Sequence, residues 1–167
     1  MTLPNFVTFF RILLIPLFVI FLFSPLGSHG RYFAVLLFIL LALGDALDGY
    51  LARRLKQISD LGKYLDPLAD KLLVFAAYLG LIEIGVVSSI PVMIILAREF
   101  AVMGIRISAA SKGNVVAATV LSKWKTAMQI LAAVMLMLSL PYSVWVLWLA
   151  VFITLVSGLE YTKYGRK

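Results

Sequence analysis

Asp45, Asp48, Asp66 and Asp70 are four carboxylates in a chain of 167 residues that is otherwise 63% hydrophobic. The first two are three positions apart and the last two four apart, so on helices each pair shares one face. Two such faces turned toward each other form an oxygen-rich cavity in which ionised acids repel one another strongly. Hard divalent cations relieve that repulsion, because carboxylate oxygens are their ordinary ligands. Two ions ~3.5 to 4 Å apart are held if one acid from each helix bridges both. Oxygen-only ligation fits Mg or Mn equally well. Cysteine is absent and the one histidine, His29, falls in an expected outer loop, which removes thiolate and imidazole chemistry.

The elements that must carry these acids are membrane-length apolar runs. Mean hydropathy is +1.04 and only 14% of residues are charged. Six spans are expected at 7–23, 32–50, 66–84, 89–109, 120–140 and 144–162, each able to cross a ~30 Å core. The predicted fold is all-α: a polytopic membrane protein whose six transmembrane helices form a single catalytic domain, 1–167. Arg11 and Pro16 suggest a bend or an interfacial start in the first run, with 2–9 along the surface.

Depth supports convergence of the acids. Asp45 lies ~21 Å along its helix from Arg31, and Asp70 ~20 Å from Glu83 on the returning helix, so both pairs reach the same level. The short polar segment 53–61 makes the two helices neighbours. Pro67 loosens the second helix beside the acids, and Gly49, Ala52 and Gly62 leave room for close packing or a flat ligand.

Basic residues set the orientation. With the amino terminus inside, the inner segments hold nearly all the Lys and Arg, whereas the outer links offer only Arg31. Both termini and the acids are then cytoplasmic. The net charge of +7 becomes a property of one face, suited to anionic headgroups and anionic substrates. No soluble basic face remains for nucleic acid.

Arg106 and Lys125 reach the level of the acids, ~22 Å from Pro91 and ~24 Å from Pro141, with Lys123 slightly further out. All three are candidates for gripping an acceptor's phosphate, Arg through paired bonds and Lys as a point charge. Arg98 lies deeper, ~10 Å from Pro91. It either lines that phosphate pocket or pairs structurally with another helix, as does its neighbour Glu99. Asp60 is expected to cap the helix beyond it. Tyr32, Tyr142, Trp145, Trp148, Trp124 and Tyr161 are expected in the interfacial aromatic belts.

The pattern Asp45-x2-Asp48-Gly49-x2-Ala52-Arg53, eight residues, Gly62-x3-Asp66-x3-Asp70 resembles the signature of the CDP-alcohol phosphatidyltransferase family at every defined position. Leu3-Pro4-Asn5 with Thr8 and Arg11, Ala97-Arg98-Glu99-Phe100 with Arg106, and Lys123-Trp124-Lys125-Thr126 with Gln129 resemble the branch whose acceptor is glycerol 3-phosphate. Ser122 and Gly44 depart from that branch, which commonly has Gly and a hydroxyl residue at these places.

The resemblance implies a six-helix bundle that transfers a phosphatidyl group from CDP-diacylglycerol to glycerol 3-phosphate, in a bacterial cytoplasmic membrane rich in phospholipid, as a homodimer. It makes Asp45, Asp48, Asp66 and Asp70 the ligands of two divalent ions. Asp70, or Asp66, becomes the base toward the acceptor hydroxyl. Asp48, Gly49, Ala52 and Arg53 line the CDP pocket.

Other acceptors, as in cardiolipin or phosphatidylinositol phosphate synthesis, share the acid motif. A divalent-cation transporter would also place acids in apolar helices, but near the midplane and with internal repeats, neither of which is evident.

Overall fold

A computed structural model describes the backbone of 3–25, 27–55, 60–111 and 119–165, and the side chains of 9–25, 27, 29–44, 71–109 and 119–161. The described residues form six helices and no strand: α1 Leu3–Leu22, α2 Ser28–Leu55, α3 Asp60–Glu83, α4 Ser89–Ser111, α5 Val120–Met137 and α6 Ser143–Gly165. The chain divides into two compact units, Met1–Ile84 and Gly85–Lys167.

In the first unit α1 packs against both α2 and α3, which also touch each other. Each helix presents one buried stripe: Arg11, Phe18 and Leu22 on α1, Ala34, Val35, Phe38 and Leu41 on α2, and Leu73, Val74, Ala77, Tyr78 and Leu81 on α3. Phe18 meets Phe38 at a ring separation of 5.6 Å, and Phe21 meets Phe33 at 5.8 Å, joining α1 to α2. Gly80 lets α3 approach α1, because a Cβ there would stand 2.5 Å from Leu22 Cδ2.

The turns follow from the residues between the helices. Gly27 and Gly85 take the left-handed conformation, with φ of 59° and 72°, after α1 and α3. Helix ends differ from the expected spans. α2 continues to Leu55 and α3 begins at Asp60, because a run can leave the apolar layer while its backbone stays helical. Arg53, Arg54 and Leu55 are good helix formers in water. α3 is described from Asp60 onward, and the capping role expected of the Asp60 side chain lies outside the described side chains. α1 is one helix from Leu3, through Pro16, with no break near 9.

In the second unit α6 packs against both α4 and α5. Its buried stripe, Leu147, Ala150, Val151, Thr154, Ser157 and Tyr161, repeats at helical spacing, while Trp145, Phe152 and Leu159 are exposed. Two hydroxyl residues, Thr154 and Ser157, turn inward with the apolar groups of that stripe, while other large apolar groups of the same helix stay exposed. Val120–Met137 and Ser143–Tyr161 are long and apolar enough to cross a membrane, and Phe9–Leu22 and His29–Gly44 are shorter apolar helices.

Thr119 caps α5 by accepting a hydrogen bond from the Ser122 amide at 3.2 Å. Ser122 contributes that amide and a carbonyl that accepts from Thr126 Oγ1, so its departure from glycine leaves the cap intact.

Candidate functional site

The four acids lie on consecutive helices of one unit: Asp45 and Asp48 on α2, Asp66 and Asp70 on α3. The two helices touch and share α1 as a neighbour, which is the arrangement their convergence requires. The side chains of Asp45, Asp48, Asp66 and Asp70, and of Gly49, Ala52 and Arg53, lie outside the described residues. Among the described residues no cluster of three or more His, Asp or Glu stands ready to hold a metal.

Arg11 is buried on α1 in the same unit. Its Cδ lies 3.9 Å from where a Cβ of Gly44 would stand, ordinary contact distance, so the arginine stem runs beside the residue that precedes Asp45.

The second unit contains a polar cluster within apolar surroundings. Arg98, Glu99, Lys125, Gln129, Thr154 and Ser157 are all buried. Arg98 Nη1 donates to Glu99 Oε1 at 3.1 Å, and Nη2 donates to Ser157 Oγ at 2.8 Å. Lys125 Nζ donates to the same Glu99 Oε1. Ser157 Oγ donates to the Thr154 carbonyl at 3.0 Å, and Gln129 Nε2 donates to Thr154 Oγ1 at 3.0 Å. The chain of bonds leaves α5 at Gln129, crosses α6 and α4, and returns to α5 at Lys125, one turn away.

Such a cluster holds its geometry firmly. Removing one partner from a buried ion pair leaves the other charge without compensation and costs ~3 to 5 kcal/mol. The Arg98 guanidinium also lies 5.7 Å from the centre of the Tyr161 ring. Tyr161 is buried, so it is not a belt residue as its place near the chain end suggested; its ring is enclosed with Val102 and Ala109. Tyr32, Tyr142, Trp145, Trp148 and Trp124 are exposed, as interfacial aromatics are.

The expected phosphate-binding cations thus fall into two sets. Arg98 and Lys125 meet on Glu99, whereas Arg106 and Lys123 are exposed on α4 and α5. Adjacent residues point in different directions from a helix, yet Arg98 reaches Glu99 because its side chain is long enough to turn back. Ser157, Gly158 and Thr154 were not anticipated. Their signal is present in the sequence: small and hydroxyl residues at three- and four-residue spacing in an otherwise apolar helix.

The sequence profile of CDP-alcohol phosphatidyltransferase matches residues 1–156. A protein of Bacillus subtilis (strain 168) named CDP-diacylglycerol–glycerol-3-phosphate 3-phosphatidyltransferase is 43% identical, over 95% of this chain and 92% of its own. Proteins of the same name from Rickettsia bellii and Pseudomonas fluorescens are 38% and 37% identical, over 99% and 95% of this chain and 96% and 84% of theirs. With its acid motif complete on two packed helices and its length matched nearly end to end, this chain belongs to the CDP-alcohol phosphatidyltransferase family.

Proposed function

We propose that this chain transfers the phosphatidyl group of CDP-diacylglycerol to the 1-hydroxyl of sn-glycerol 3-phosphate, giving phosphatidylglycerophosphate and CMP. The reading is carried by the likeness, at 43% identity along 95% of the chain, to a relative named for that donor and acceptor. The acceptor oxygen bonds to the phosphorus that carries the diacylglycerol, and the bond from that phosphorus to the bridging oxygen breaks. CMP leaves with the electron pair. The hydroxyl proton passes to Asp70, or to Asp66, whichever keeps an oxygen free of other duties.

The donor set of Asp45, Asp48, Asp66 and Asp70 fits two divalent ions, Mg or Mn, by chemistry: all oxygen, all anionic, on two packed helices. When bound, such ions supply Lewis-acid stabilisation of negative charge on the pyrophosphate. Asp48, Gly49, Ala52 and Arg53 take the CDP moiety, Gly49 by letting it approach the backbone. Arg98, Arg106, Lys123 and Lys125 are the cations for the acceptor's phosphate.

All six helices cross a bacterial cytoplasmic membrane in this reading, as one catalytic domain with both termini inside, and two copies associate. The exposed apolar residues on α1, α2 and α6 support a lipid environment. The excess of basic residues in the intended inner segments supports the orientation.

Release of CMP by purified protein tests the reaction, with CDP-diacylglycerol, a panel of polyol acceptors, and Mg or Mn added or withheld. Turnover is expected only with glycerol 3-phosphate and an ion together. Equal release with unphosphorylated glycerol overturns the acceptor, and undiminished release after chelation overturns the metal assignment.

A further inference from the structure

Two cations on different helices end on one carboxylate oxygen: Arg98 of α4 and Lys125 of α5 both donate to Glu99 Oε1. A lysine has four torsions to immobilise, and Lys125 is only 3% exposed, so a buried partner must hold its ammonium in place. Glu99 is one such partner, and it is itself fixed. The guanidinium beside it is tied to Ser157 at 2.8 Å, stacked toward Tyr161, and seated against Gly158.

We propose that Glu99 is a positioning residue for the acceptor site. It holds Lys125 and Arg98 at a fixed separation as a paired grip for the phosphate of the acceptor. The proposal rests on the reaction proposed above. The three side chains carry a net single positive charge, which suits a phosphate. Without the carboxylate, the two cations would repel each other and separate. Arg106 and Lys123 are exposed and make no ion pair with Glu99 among the described residues, so the fixed geometry belongs to Arg98 and Lys125.

A contribution confined to folding would change the amount of active protein and leave its affinity for the acceptor alone. Positioning moves the affinity. In the full chain, purified in lipid or detergent, Glu99→Gln is expected to raise KM for glycerol 3-phosphate by ~10-fold or more, as the loss of a charge-assisted contact to a buried cation would. KM for CDP-diacylglycerol should change by less than about twofold. In a Lys125→Ala background, Glu99→Gln should raise KM by a smaller factor than it does alone, since one of the two groups it positions is gone and no paired grip remains. Glu99→Asp, which keeps the charge but shortens the reach, should recover part of the loss.

An unchanged or lowered KM for glycerol 3-phosphate in folded Glu99→Gln protein overturns the proposal, as does full additivity with Lys125→Ala. If Glu99→Gln does not fold, Glu99→Asp carries the same test: a raised KM supports positioning and an unchanged one overturns it. Calorimetric binding of glycerol 3-phosphate to these proteins reads the same comparison without turnover. Failure of the reaction and failure of the positioning are thereby seen separately.

Discussion

Gly158 on α6 lies directly against Arg98 on α4: a Cβ at Gly158 would stand 3.1 Å from Arg98 Nε and 3.3 Å from Cγ. Nε is buried and has no hydrogen-bond partner among the described residues, so the guanidinium is placed by its two terminal nitrogens and by this close backbone. Arg98 cannot retreat from an added side chain without losing Glu99, Ser157 or Tyr161. Gly158→Leu is therefore expected to cost ~1 to 3 kcal/mol, the range of overpacking in a dense core. A fall in thermal midpoint in detergent would register it. The effect should shrink in an Arg98→Ala background, where the obstacle is gone.

Gln129 and Thr154 form a second link between α5 and α6, at 3.0 Å and with both side chains buried. Hydrogen bonds between helices in apolar surroundings contribute ~0.6 to 2 kcal/mol. Thr154→Val keeps the shape and removes the acceptor, and should lower stability by about 1 kcal/mol. Activity per folded molecule should change little, because Thr154→Val keeps the backbone carbonyl that accepts from Ser157 and so leaves the Arg98–Ser157 bond in place. A denaturation series with parallel CMP assays separates the two effects.

Gly80 is the close point between α1 and α3, and the atom in the way is the tip of the Leu22 side chain. Because that tip can swing aside, Gly80→Ala should be tolerated to within ~1 kcal/mol. Gly80→Phe cannot be absorbed in this way and should separate α3 from α1. Since α3 carries Asp66 and Asp70, loss of thermal stability and loss of CMP release should appear together.

Asp45 and Asp60 are a matched pair for testing the acid centre. Asp45→Ala should remove at least ~10²-fold of activity, comparable to the loss of one electrostatic stabiliser of a transition state, without unfolding the chain. Asp60→Ala, at the start of α3 and outside the motif, should remain active. Chelation should silence the wild-type protein and Mg or Mn should restore it. Activity of Asp45→Ala close to wild type would remove the case for a shared four-acid site.

The sequence alone determined that helices would form, roughly where each would lie, and which acids would share a face. Apolar run length and the three- and four-residue spacing of Asp45, Asp48, Asp66 and Asp70 are local properties, and helical geometry converts them directly into position. Even the ends of α2 and α3 were shifted only because hydropathy marks where an apolar layer stops, and a helix does not stop there.

Only the tertiary structure decided the partners of Arg98, Lys125 and Tyr161. Periodicity states which residues share a stripe but not which stripe of another helix it meets. A long side chain such as Arg98 can leave its own face altogether. That Lys125 ends on Glu99, that Arg98 threads past Gly158 to Ser157, and that Tyr161 is enclosed beneath it all depend on α6 packing against both α4 and α5. A buried charge takes whatever partner the packing brings within reach, because leaving it alone in an apolar interior costs more than any local preference.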